Sequence, residues 1–159
     1  MKHIVGVADM KVSNNPADSI ITYSLGSCIG VIIYDPEVKV GGILHYMLPE
    51  SSINKEKAAK IPYMFADSGI PELFKTAYEL GAVKQRIKVY IAGGAEILDK
   101  EGFFNIGKRN YMALKKIFLK NNIKIYKQDI GGNVNRTIKI EIANGDIYLR
   151  SSGSKDTKI

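Results

Sequence analysis

The amino-acid sequence predicts an α+β fold, an α/β layered sandwich in which a mixed, largely antiparallel sheet carries about two main helices. Three observations predict it. Segments rich in β-branched and aromatic residues fill the first half of the chain. Two segments with helical apolar spacing, 62–80 and 106–121, follow. A pair of late strands is joined by Asn144-Gly145, a hairpin signal.

Each element follows in chain order. Residues 3–8 form a short apolar run. Residues 19–25 read as a strand, and residues 28–34, Cys-Ile-Gly-Val-Ile-Ile-Tyr, are apolar on both alternating faces, as in a strand covered on both sides. Asp35-Pro36 marks a turn, after which residues 38–48 form the next strand and Pro49 closes it. Residues 50–61 are polar and Lys-rich and read as an exposed loop. A helix is predicted over 62–80, with Leu73, Phe74, Ala77 and Leu80 in helical spacing and Gly81 as its C-terminal stop. Pro71 either lies in the first turn of a helix starting near Ser68 or kinks a longer one. Residues 86–92 alternate polar and apolar and run into Gly93-Gly94. A second helix spans 106–121, with Asn105 as its N-cap. Strands at 123–129, 135–142 and 146–150 complete the set. Residues 1–150 read as a single domain, and 151–159 as a polar tail that frays.

The composition narrows the function classes. The 159 residues, 45% hydrophobic and 25% charged, describe an ordinary globular domain long enough to bury a core. No apolar run approaches a membrane span, so membrane insertion is not expected. The N-terminus has no signal-peptide pattern and neither end has a lipidation signal, so the expected compartment is the cytoplasm. A net charge of +7 attracts acidic partners, although the lysines are scattered as on a solvated surface. The aromatic residues do not interleave with the basic ones, so no nucleic acid partner is expected. One Cys excludes an internal disulfide, and with two His the N and S ligands are too few for a structural zinc site. No metal and no cofactor is expected, and a monomer is the default.

The lone Cys28 has two readings, an inert buried thiol or a nucleophile. The hairpin around Asp35–Val38 bears on the choice. If Tyr34 pairs with Lys39, Cys28 stands directly across the ladder from His45, at a Cβ separation of about 5 Å. A register one residue different pairs Cys28 with Tyr46 and sends His45 to the other face, and the sequence leaves both registers open. An imidazole beside a thiol can take its proton and later deliver it to a leaving amine. Gly26 and Ser27 precede the Cys, where a tight backbone can approach substrate and point N–H groups at an oxyanion. Thr22, on the preceding strand, is the candidate to orient His45.

These residues lie in motifs that resemble a known family. Leu25-Gly26-Ser27-Cys28 and His45-Tyr46-Met47-Leu48-Pro49 are similar to elements of the chemoreceptor glutamine deamidases, the CheD family of chemotaxis proteins. Ala66-Asp67, Gly93-Gly94-Ala95, Asn105-Ile106-Gly107-Lys108-Arg109-Asn110 and Asp129-Ile130-Gly131-Gly132 with Arg136 follow in order, so the resemblance covers about residues 3–150. Ser24 and Asn135 stand where that family often has glycine.

The resemblance implies a catalytic Cys28, His45 and Thr22, and a fold similar to the catalytic domain of cytotoxic necrotizing factor toxins. It implies deamidation of glutamine to glutamate, with ammonia released through a thioester, on the cytoplasmic helical hairpin of methyl-accepting chemotaxis receptors. Receptor methyl esters are a second substrate in some members, and a CheC-type phosphatase is an expected partner. A scaffold that binds this phosphatase with little catalysis of its own is the rival reading, and a nucleic-acid-binding protein a more distant one. Arg109 has two readings, binding an acidic substrate or pairing with Asp129.

Overall fold

The computed structural model describes residues 1–97 and 104–159. Its strands are β1 (Lys2–Val5), β2 (Asp9–Ser13), β3 (Ser19–Leu25), β4 (Ile29–Asp35), β5 (Val40–Tyr46), β6 (Lys88–Gly93), β7 (Lys127–Ile130), β8 (Arg136–Glu141), β9 (Ile147–Ser151) and β10 (Thr157–Lys158). The helices are α1 (Lys55–Lys60), α2 (Ala66–Glu79) and α3 (Ile106–Lys120).

The α+β layered class is borne out, with the strands divided between two sheets rather than gathered in one. The first runs β1-β3-β8-β9-β10 and the second β2-β5-β4-β6-β7. Pairing is parallel for β1 with β3 and for β6 with β7, and antiparallel elsewhere. Every residue of β4 and β5 is buried, as the apolar run on both faces predicts. One face of these strands, through Ile32, Tyr34 and Ile43, meets Ile20, Leu25, Ile138 and Ile140 of the first sheet. The other face, through Ile29, Val31, Leu44 and Tyr46, meets Ile70, Leu73 and Phe74 of α2 and Leu114 and Phe118 of α3. The result is sheet, sheet and helices in three layers, with two apolar interiors. Fully burying one such side chain stabilises by about 1.5–3 kcal/mol.

Several elements differ from expectation. The run at 3–8 breaks after Val5, because Ala8 adopts a left-handed φ of 59° and turns the chain into β2 on the other sheet. The Lys-rich segment expected as a loop contains α1, whose cap Asn54 accepts a hydrogen bond from the Lys57 N–H. It buries no residue, so it leaves no apolar periodicity to read. α2 begins at Ala66, and Pro71 sits within it. Gly81 follows that helix at φ 98°, and its N–H bonds the Tyr78 carbonyl, the stop that was expected. Asn105 holds the N-cap position of α3 without a side-chain cap bond. Glu96 instead accepts from the Lys108 N–H at 3.0 Å. The tail does not fray: Ser151 closes β9, β10 pairs with Tyr148 and Leu149, and Ile159 packs against the inter-sheet core. Among the described residues no helix is long and apolar enough to cross a membrane.

Candidate active site

β4 and β5 form the predicted hairpin, with its register shifted by two positions. Asp35 pairs with Val40, so His45 stands opposite Gly30 and Ile29 opposite Tyr46. The direct Cys28–His45 pairing expected from the sequence is therefore corrected. The ladder runs on to Asp35 because its buried carboxylate accepts from the Glu37 and Val83 N–H groups and from Arg86. Lys39 closes the turn at a left-handed φ of 53°.

A two-residue shift preserves the face. Cys28 precedes Gly30 by two positions and packs in the inter-sheet cluster, the side on which His45 also lies. The pair are thus diagonal neighbours, a relation that spans about 7–8 Å between backbone positions. Gly30, directly opposite His45, puts no side chain between them. The register that would have separated the two residues across the sheet is excluded.

The structure brings Thr22 to His45 across the two sheets. Both are 0% exposed. The Thr22 hydroxyl donates to the Val5 carbonyl at 2.8 Å, and its oxygen lies 2.7 Å from His45 Nδ1. With the hydroxyl hydrogen committed to Val5, the oxygen accepts from His45, which puts the imidazole proton on Nδ1. Nε2 is left with a lone pair, buried and without a hydrogen-bond partner. Burial pushes the His45 pKa down to about 4 and pushes the Cys28 thiol up to about 11, the latter partly opposed by the Cys28 backbone N–H. Both groups are therefore neutral at neutral pH. A base with a free lone pair faces the inter-sheet space, and a protonated thiol sits on the same side.

Cys28 opens onto a cavity of about 590 Å³ that also takes in Ser24, Gly26, Ser27, Glu96 and Asn135. That volume suits a small side chain or ligand. Ser27 and Gly26, the residues expected at the oxyanion, thus stand in its wall. A larger groove of about 1620 Å³ runs along α3 and β7, lined by Lys108, Arg109, Lys115, Lys116, Lys124 and Lys127 among others. None of Thr22, Cys28 and His45 touches it. The smaller cavity, and not the groove, is the one that the Cys28 thiol lines. Among the described residues no group of three or more His, Cys, Asp or Glu is placed to hold a metal.

The family model described as CheD chemotactic sensory transduction matches residues 47–151. A relative from Syntrophus aciditrophicus, named probable chemoreceptor glutamine deamidase CheD 1, is 55% identical over 150 residues, 94% of each chain. The chain belongs to the CheD family. CheD relatives from Solibacter usitatus and Desulforamulus reducens, both named probable chemoreceptor glutamine deamidase CheD, are 46% and 43% identical. Their alignments cover 96% and 94% of this chain and 90% of each relative.

Two of the CheD motifs read from the sequence, Gly93-Gly94-Ala95 and the one ending in Arg136, meet behind the loop that carries Cys28. Gly93 has φ 117°, and a Cβ there would stand 2.1 Å from the Cys28 carbonyl oxygen. The neighbouring Gly94 N–H donates to that oxygen, and the Ala95 N–H donates to the Gly26 carbonyl. The Gly93–Ala95 strand end therefore braces the loop carrying Cys28, and only glycine permits the approach. Arg136, not Arg109, pairs with Asp129, at 3.0 Å, and it also donates to the Gly93 carbonyl at 3.2 Å. Ser24 adopts a left-handed φ of 58°.

Sequence reasoning named Asn110 only as the end of a motif and gave it no role in the site. It is 0% exposed, and its Nδ2 donates to the Ser27 and Met47 carbonyls at 2.9 and 2.8 Å. A signal was present: Gly107, Asn110, Leu114 and Phe118 form the buried stripe of α3, and an amide stands there among apolar positions.

Proposed function

We propose that this protein is a glutamine deamidase of methyl-accepting chemotaxis receptors, with Cys28 as nucleophile, His45 as base and Thr22 as the residue that orients the base. One observation carries the reading. A buried relay from the Val5 carbonyl through Thr22 to His45 ends in an unpaired Nε2, on the sheet face that also bears Cys28. The names of the relatives point to the same chemistry.

Each step has a residue to perform it. The resting thiol is protonated and the imidazole neutral, so Nε2 takes the Sγ proton as the sulfur attacks the carboxamide carbon. The new C–S bond turns the carbonyl oxygen into an oxyanion, met by backbone N–H groups around Ser27 and Cys28. The imidazolium returns its proton to the amine, the C–N bond breaks, and ammonia leaves a thioester on Cys28. Water, deprotonated by Nε2, adds to the thioester; the C–S bond breaks, and glutamate and the free thiol result. No step calls on a metal or an organic cofactor. The same thioester forms from a receptor glutamate methyl ester with methanol as leaving group, which supports a side activity as methylesterase. Gly26 lets the substrate chain approach.

The basic groove along α3 supports encounter with an acidic helical surface such as the cytoplasmic hairpin of a receptor. In this reading residues 1–150 act as one deamidase domain, a monomer in the cytoplasm, with a CheC-type phosphatase as a second partner.

The test is mass spectrometry of a receptor cytoplasmic fragment after incubation with the protein. The expected result is conversion of particular glutamines to glutamate with ammonia released, abolished in Cys28→Ala. A fragment left unchanged by a protein that binds the phosphatase tightly would replace this reading with the scaffold.

A further inference from the structure

We infer that Asn110 is a positioning residue for this chemistry: its side-chain amide sets the relation between nucleophile and base by clamping the two strand ends that carry them. The inference rests on the reading of Cys28 and His45 as a catalytic pair.

The β4–β5 ladder ends at Ile29 and Tyr46. Cys28 and Met47 are the first residues beyond it; main-chain bonds tie the Cys28 carbonyl to Gly94 and the Met47 N–H to Met64, but none ties one strand end to the other. Asn110 supplies the missing link from α3. One amide hydrogen goes to the Ser27 carbonyl at 2.9 Å, immediately before the nucleophile. The other goes to the Met47 carbonyl at 2.8 Å, two residues after the base. The Tyr46 hydroxyl donates back to the Asn110 carbonyl at 2.7 Å and locks the helix turn against β5. Both side-chain acceptors are carbonyls, so the NH₂ must face them, and the orientation of the amide is decided by its surroundings.

The geometry is costly and specific. Asn110 is fully buried, and with both N–H donors engaged its Oδ1 has no hydrogen-bond partner. A residue selected only for packing on this stripe would be apolar, like Leu114 and Phe118. Only a planar donor pair spans two carbonyls from opposite strand ends. Leucine has the volume but no donor. Aspartate has the shape, but its ionised form places oxygens against both carbonyls.

The test compares wild type, His45→Ala, Asn110→Ala, Asn110→Asp and Tyr46→Phe. Two measurements are made on each: the pH–rate profile of Cys28 alkylation by iodoacetamide, and kcat and KM on a receptor fragment. The wild-type alkylation profile is expected to show a limb that rises as the imidazole deprotonates near pH 4 and stays level through neutral pH, and His45→Ala removes it. Asn110→Ala and Asn110→Asp are expected to lose that limb too, with kcat down about 100-fold, as misplacement of a reacting group by an ångström predicts, and KM little changed. Tyr46→Phe keeps both amide bonds and is expected to retain the limb, although it loses a helix-to-strand hydrogen bond. Folded Asn110 variants with the wild-type profile and kcat would overturn the inference. Failure of both Asn110 variants to fold, where Tyr46→Phe folds, would assign Asn110 to stability and overturn it as well. If His45→Ala leaves the profile unchanged, the Cys28–His45 reading itself falls, an outcome distinct from the other two.

Discussion

Replacing Thr22 by valine tests the imidazole relay with almost no change of shape. The hydroxyl sits between the Val5 carbonyl at 2.8 Å and His45 Nδ1 at 2.7 Å, in a region closed to water. Valine leaves the Nδ1–H without an acceptor, a buried unsatisfied donor that costs about 1–3 kcal/mol. His45 can avoid that cost by moving its proton to Nε2, but the tautomer so formed has no lone pair for the Cys28 thiol. Since about 1.4 kcal/mol is a factor of ten in a population, the base-competent form falls by roughly 10- to 100-fold, and kcat should fall with it. Thr22→Ser keeps the oxygen and should recover most of the loss. The assay is ammonia release from a receptor fragment, paired with nitrogen NMR of the imidazole, which reports the protonated nitrogen directly. A Thr22→Val protein that keeps the proton on Nδ1 and turns over at the wild-type rate would refute the reasoning.

Other outcomes follow from the same geometry. His45 is buried with its pKa lowered from 6.5 to about 4, so between these values the unfolded chain binds more protons than the native one. Stability therefore rises with pH across that window, and lowering the pH from 6.5 to 4 should remove about 3 kcal/mol. Urea titrations at several pH values check this, and a His45→Gln protein showing the same slope in that window would contradict the assignment. Gly93→Ala would drive a Cβ into the Cys28 carbonyl oxygen, 2.1 Å away, at a φ of 117°. It should cost about 3 kcal/mol or more, seen in thermal melts; a melting temperature equal to wild type would disprove the close approach. Ser24→Gly relieves a left-handed φ of 58°. After the extra chain entropy of glycine is deducted, it should add about 0.5–1 kcal/mol, a rise of about 2 °C in Tm.

The parts of the fold legible in the sequence are those with dense apolar patterning. The β4–β5 hairpin was visible because burial on both faces forces a continuous apolar run, and α3 because its stripe repeats at helical spacing. Cys28 and His45 were visible through chemistry, being rare residue types, one just before β4 and the other within β5. Their register was not, because it depends on a side chain outside the pair. Buried Asp35, bonded to Val83 and Arg86 far along the chain, joins the ladder, so the four-residue loop is 36–39 instead of 35–38. β2 and α1 escaped because an edge strand with alternating exposure and a helix that buries nothing carry little pattern. The division into two sheets depends on Ala8 turning between β1 and β2, at a residue type that rarely adopts that conformation. Asn110 was hidden for a related reason. Its role lies in two carbonyls, at Ser27 and Met47, that only the folded chain brings together.

The central claim is that Cys28 forms a thioester with the substrate carbonyl under the control of His45. Acid-quenched turnover with a receptor fragment, followed by peptide mapping, measures it directly. The account predicts that the Cys28 peptide carries the receptor peptide less ammonia in wild type, and that Cys28→Ala yields neither adduct nor glutamate. Deamidation at the wild-type rate by Cys28→Ala would contradict it.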